Sequence, residues 1–145
     1  LHAYPESYEV QPVLGNQGYD ALVFDQFGEE VDRIEMTAPH DGATAAKDAR
    51  LIVRRDSRIQ VGTPGDDFEA MFPWVLAVCN KKAIKDYSDC SLVVAIDPLP
   101  PFDESYETLY EEQIEALASE MRKIQFRAKR VFLLVMPDHI RQVCG

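Results

Sequence analysis

A chain of 145 residues that is 46% apolar and 10% aromatic can fill one hydrophobic core and leaves little for a second, so a single domain over 1–145 is expected. Fifteen basic residues against twenty-five acidic ones give a net charge of −10, which opposes non-specific attraction to phosphate backbones unless the cations gather on one face. The longest apolar runs, SLVVAI and VFLLVM, are strand-sized and too short to cross a bilayer, and no basic-then-apolar leader opens the chain, so a soluble, cytoplasmic protein with no membrane partner is expected.

In chain order, SYEVQPVL (7–14) reads as a strand interrupted near Pro12, hence an edge. DALVFD (20–25) and VDRIEMT (31–37) read as the arms of a hairpin turning at Phe27-Gly28. RLIVRR (50–55) and RIQV (58–61) suggest one or two short strands, although GATAAKDARLIV (42–53) can equally begin as a helix. After the breaker GTPGDD, Phe68, Met71, Phe72, Val75, Leu76 and Cys79 recur at three and four, which is one face of a helix, with Pro73 in its first turns or kinking it. SLVVAIDP (91–98) is a buried strand ended by the Pro-rich loop PLPPFD. From about 104 to 126, Tyr110, Ile114, Leu117, Met121 and Ile124 form a second apolar stripe, followed by the strand RVFLLVMP and a short closing helix capped near His139. The order predicts an α/β single domain: a mixed β-sheet with an N-terminal β-hairpin region followed by helix, strand, helix, strand. The core is expected to include the Phe68–Leu76 stripe together with Val93, Ala95, Val131 and Leu133.

The three cysteines, Cys79, Cys90 and Cys144, are odd in number and lack metal-ligand spacing, so neither a disulfide framework nor a zinc site is suggested and a reducing compartment fits. Ser91 and Cys90 have no histidine partner in sight for nucleophilic chemistry, and no GxxxxGK[ST] or GxGxxG is present. Asp97, ending a strand, reads as a loop acid or as a group displayed at the sheet end.

The hairpin carries the most specific geometry. With its turn at Phe27-Gly28, antiparallel partners have numbers adding to 55, so Asp20 faces Glu35 and both side chains leave the same side of the sheet. Facing residues have β-carbons roughly 4.5–5.5 Å apart, where two carboxylates repel unless a cation such as Mg²⁺ joins them. A register shifted by one, or acids at a solvated sheet end, is the alternative.

YDALVFDQFGEEVDRIEMT resembles the core of the PD-(D/E)xK, restriction-endonuclease-like, nuclease superfamily, and the likeness extends in outline over residues 6 to 97. The resemblance implies that Asp20 and Glu35 bind Mg²⁺ or Mn²⁺, that the Met36 carbonyl adds a ligand, and that the substrate is DNA or RNA. Tyr19 replaces the proline of the motif, and Thr37 stands where the lysine belongs, without the positive charge that orients hydroxide or stabilises a pentacovalent phosphate. The first-helix glutamate has no counterpart, because Glu6 and Glu9 lie too close to a strand; it is expected upstream of Leu1, in a segment not included in this sequence. Lys47 is the preferred replacement lysine because its chain back to Glu35 is short, with Lys81 and Lys82 on the later helix as the others. His40, beside Asp41, is either a proton-transfer residue or part of an Asp-Gly turn.

Arg50, Arg54, Arg55 and Arg58 read as solvated surface or as contacts to a nucleic-acid backbone, and a second basic group, Arg122, Lys123, Arg127, Lys129 and Arg130, as the cationic end of a helix. Two functions follow: a metal-dependent phosphodiesterase acting on nucleic acid, or a non-catalytic α/β domain that meets a protein partner through its acidic surface.

Overall fold

The computed structural model describes residues 3–15, 17–39, 64–98, 107–136 and 139–145. They form strands β1 (Glu9–Pro12), β2 (Ala21–Phe24) and β3 (Glu30–Thr37), helix α1 (Pro64–Ala83), strand β4 (Tyr87–Ile96), helix α2 (Glu107–Arg122), and strands β5 (Ala128–Val135) and β6 (His139–Cys144). One six-stranded sheet runs in the order β1-β2-β3-β4-β5-β6. The first three strands form an antiparallel meander, β4 and β5 continue in parallel with β3, and β6 returns antiparallel at the far edge.

This layout follows from the connections. A meander needs only tight turns, and Gly28, at φ 80°, supplies the one between β2 and β3, where Gly28 N–H also donates to the Asp25 carbonyl at 3.0 Å. Parallel neighbours require crossovers, and α1 and α2, which lie in them, both pack on one face of the sheet. Both helices share a core there with Leu92, Val94 and Ile96 of β4 and Val131, Leu133 and Val135 of β5. The opposite face holds a smaller cluster, Val23, Ile34, Val93 and Phe132, against which Ala3, Tyr4 and Tyr8 of the N-terminal segment pack.

Two expectations are corrected. The chain closes with β6 rather than a helix, because the outer backbone groups of β5 gain an antiparallel partner there. Val93 belongs to the far face, since strand alternation turns Leu92, Val94 and Ile96 toward the helices instead. Pro73 takes the second of its two expected places, inside α1 and past its first turns. Along that helix Phe68, Val75 and Cys79 are fully buried, whereas Met71, Phe72 and Leu76 are only partly so. Among the described residues no helix is long and apolar enough to cross a membrane.

Candidate functional site

The β2/β3 pairing has the expected register: Ala21 faces Ile34, Leu22 faces Arg33 and Val23 faces Asp32, before a bulge at Val23/Phe24. The ladder ends at Ala21, and one residue earlier the Asp20 amide turns to Ile34 rather than Glu35, so the expected Asp20–Glu35 pairing is displaced by one residue. The Asp20 amide donates to the Ile34 carbonyl at 2.7 Å, and Asp20 Oδ2 accepts the Met36 amide at 2.7 Å, so Asp20 is tied to β3 by backbone and side chain together.

Glu35 alternates with Ile34 and pairs with Leu92, which puts it on the helix-covered face. There its Oε1 accepts from Lys82 Nζ at 2.6 Å, with both side chains largely buried, at 16% and 19% exposure. Lys82 stands in the last turn of α1, which closes with the Lys85 amide donating to the Lys82 carbonyl at 3.0 Å before the chain turns directly into Tyr87 and β4. This short return holds the end of the helix against the strand beside β3. The Lys82 ammonium also lies 5.7 Å from the centroid of the Tyr87 ring. Burial pulls the Lys82 pKa down, but the bond and charge of Glu35, with a further contribution from Tyr87, outweigh it and leave the group raised, so it is a cation at neutral pH.

A positive charge therefore stands at the carboxylate next to Thr37, delivered by the helix instead of the strand. Lys47, the preferred lysine, lies outside the described residues, as do His40 and the four arginines Arg50, Arg54, Arg55 and Arg58. The signal for Lys82 lies in the periodicity: the buried positions 68, 75 and 79 continue at three residues to 82.

The donors available to a divalent ion are the Asp20 and Glu35 carboxylates and the Met36 carbonyl. All are hard oxygens, and two carboxylates are the usual protein contribution to Mg²⁺, so the donor chemistry fits. Among the described residues no group of three or more His, Cys, Asp or Glu side chains comes together as a metal site.

Glu35 also lines a cleft of about 540 Å³ with Gly18, Tyr19, Lys85, Asp86 and Asp89. Cys90 lies in its wall, where burial first, and then the nearby carboxylates of Asp89, Glu35 and Asp32, push the thiol up to about 11; it is no nucleophile at neutral pH.

The second basic group is no open phosphate track. Arg122 pairs with Glu115 at 2.6 Å, Lys123 with Glu120, and Arg127 with Asp86 at 2.9 Å. Lys129 reaches Asp32 at 3.3 Å, and Arg130 also pairs with Asp32.

Nothing in the sequence pattern singles out Asp32. Its side chain is 0% exposed on the face away from the helices, where it accepts from Ser91 Oγ at 2.6 Å, Tyr4 Oη at 2.7 Å, Arg130, and the Arg33 amide at 2.9 Å. Burial alone would raise its carboxyl, but the bonds from Ser91, Tyr4, Arg130 and the Arg33 amide together hold it below the usual range. The Arg130 guanidinium lies 4.8 Å from the Tyr4 ring centroid, so this network pins the N-terminal segment to the sheet.

Compared with protein-family models, curated proteins and solved structures, the chain matches none.

Proposed function

We propose that the chain is a divalent-metal-dependent phosphodiesterase acting on nucleic acid, of the PD-(D/E)xK type, with Asp20, Glu35 and the Met36 carbonyl as ligands to Mg²⁺ or Mn²⁺ and Lys82 in the role of the missing motif lysine. The observation that carries this reading is the 2.6 Å contact of Lys82 with Glu35, one strand away from Asp20. The strand order gives coarser support, since a three-stranded antiparallel meander followed by a helix and a parallel strand agrees with such a core. When bound, the ion would lower the pKa of its water and neutralise phosphate charge.

The chain's own groups do the rest. Lys82 donates to the attacking oxygen or to charge growing on the phosphate, and the helix end and Tyr87 hold it in place for that. Asp20, anchored through the Met36 amide, keeps its second oxygen in a fixed direction.

The alternative is a non-catalytic domain that meets a protein partner through its acidic surface. It draws on Thr37, on the net charge of −10, and on the pairing of every cation in the 122–130 group with a carboxylate.

The test is a pair of measurements on the parent protein and on Asp20→Ala, Glu35→Ala and Lys82→Met. Saturating Mn²⁺ at about a hundred times Kd should stabilise the parent by about 2.7 kcal/mol, read as a rise in Tm, and both carboxylate variants should lose that rise. Lys82→Met should keep the rise and lose cleavage of single- or double-stranded DNA or RNA. No metal-dependent shift and no cleavage in the parent would leave the interaction-domain reading.

A further inference from the structure

We propose that the cleft beside Glu35 receives an unstacked base of a single-stranded nucleic acid on the ring of Tyr19, with Lys85 meeting the strand's phosphate. The inference rests on the phosphodiesterase reading of Glu35, which lines this cleft, and names the substrate class.

Tyr19 precedes the carboxylate of Asp20 directly, and its ring lines the cleft together with Glu35. The Arg33 guanidinium lies 5.3 Å from the ring centroid. Arg33 is itself held, by Glu30 at 2.7 Å and Asp89 at 3.3 Å, so the guanidinium is fixed beside the ring as a pair. Such pairs are what single-strand binders offer to a base, because every base has a π-face and stacks on an aromatic ring whatever its sequence. On the same wall Gly18 has no side chain, and a Cβ built there would meet nothing within 4 Å, so the cleft is open at Gly18.

Volume and charge agree with this occupant. About 540 Å³ lies within the roughly 300–1,000 Å³ of small-ligand sites, enough for one nucleotide but not for a duplex. A duplex also keeps its base faces inside the stack, whereas a single strand presents them.

In a protein of net charge −10, the carboxylates lining this cleft are each matched by a cation: Glu35 by Lys82, Asp86 by Arg127 and Asp89 by Arg33, which Glu30 shares. Lys85 lines the cleft and has no carboxylate within ion-pair distance among the described residues, which leaves its charge for a phosphate.

The test is fluorescence anisotropy in EDTA with a short fluorescein-labelled oligothymidylate, an abasic strand of equal length, and the corresponding duplex. The parent should bind the base-bearing strand most tightly. Tyr19→Ala should weaken that binding roughly 5- to 150-fold and erase the preference over the abasic strand, while Tyr19→Phe, which keeps the ring, should stay close to the parent. Lys85→Ala should weaken the base-bearing and abasic strands alike and flatten the salt dependence. Thermal unfolding of each variant establishes that it is folded.

Equal affinity of the parent for the two single strands, Tyr19→Ala binding like the parent, or no binding by the parent overturns the proposal. Base-selective binding with no Mn²⁺-dependent cleavage would uphold the platform and sink the phosphodiesterase reading. Cleavage without base preference would do the reverse.

Discussion

Replacing Asp32 by alanine should remove a measurable fraction of this protein's stability, because one carboxylate ties together three strands and the N-terminal segment. Its side chain is 0% exposed, and truncation leaves Arg130, itself only 28% exposed, without its counter-ion. Breaking such a buried pair costs about 3–5 kcal/mol. The Ser91 hydroxyl, on a fully buried residue, would also lose its acceptor, which by itself costs about 1–3 kcal/mol. Lys129, 44% exposed, is well hydrated and adds little. Water reaching Arg130 recovers part of the loss, so the expected cost is about 3–4 kcal/mol in urea unfolding at neutral pH, with unchanged m.

The pH dependence gives a second handle on the same network. The Asp32 carboxyl is depressed in the fold, so its contribution is present above the unfolded value of about 4 and is lost as pH falls through the folded value. Asp32→Ala should therefore lose less stability than the parent on acidification below about pH 4.

Tyr4 acts at the other end of the scale. Burial first, and then its bond to Asp32, push its phenol up to about 12, so its contribution is present below the unfolded value of about 10 and lost as pH rises from there toward 12. Tyr4→Phe should remove that alkaline component. A cost under about 1 kcal/mol for Asp32→Ala, or an acid limb identical to the parent's, would refute the account of a buried anion held by its donors.

Leu117, fully buried against the sheet, should cost about 2–5 kcal/mol when cut to alanine, whereas the half-buried Leu76 should cost clearly less; equal losses by urea titration would mean that the helix faces are misassigned. Cys79, whose thiol burial pushes up to about 12, and Cys90 should both resist thiol reagents in the native protein at neutral pH and react once urea unfolds it, and rapid native labelling of either would contradict their burial.

Local pattern is enough for much of this architecture. The hairpin register summing to 55, the stripes of both helices, and the strands around SLVVAI and RVFLLV are legible because strand alternation and helical periodicity are properties of neighbouring residues. Counted outward from the turn at Phe27-Gly28, the same alternation puts Asp20 opposite Glu35, but the ladder ends at Ala21 and the Asp20 amide bonds Ile34 instead. Alternation also fails at the chain end, where HIRQVC has too few residues to carry a period and where the open edge of β5 supplies the reason to be a strand.

Long-range pairing decides the rest. That Lys82 meets Glu35, 47 residues away, depends on α1 covering the face where Glu35 lies and on the short return into β4. Asp32, Ser91 and Arg130 lie in separate strands, and neither Asp32, beside Arg33, nor Arg130, beside Lys129, stands out from its charged neighbours when read singly. The parallel register that aligns Ile34 with Ser91 and Ser91 with Arg130 brings the three strands together at this level, and the donors of one strand then satisfy the acceptor of another. A chain's own pattern specifies which residues turn inward, but which inward residues become neighbours is set by how the strands are ordered and slid against one another, and this is a property of the assembled sheet.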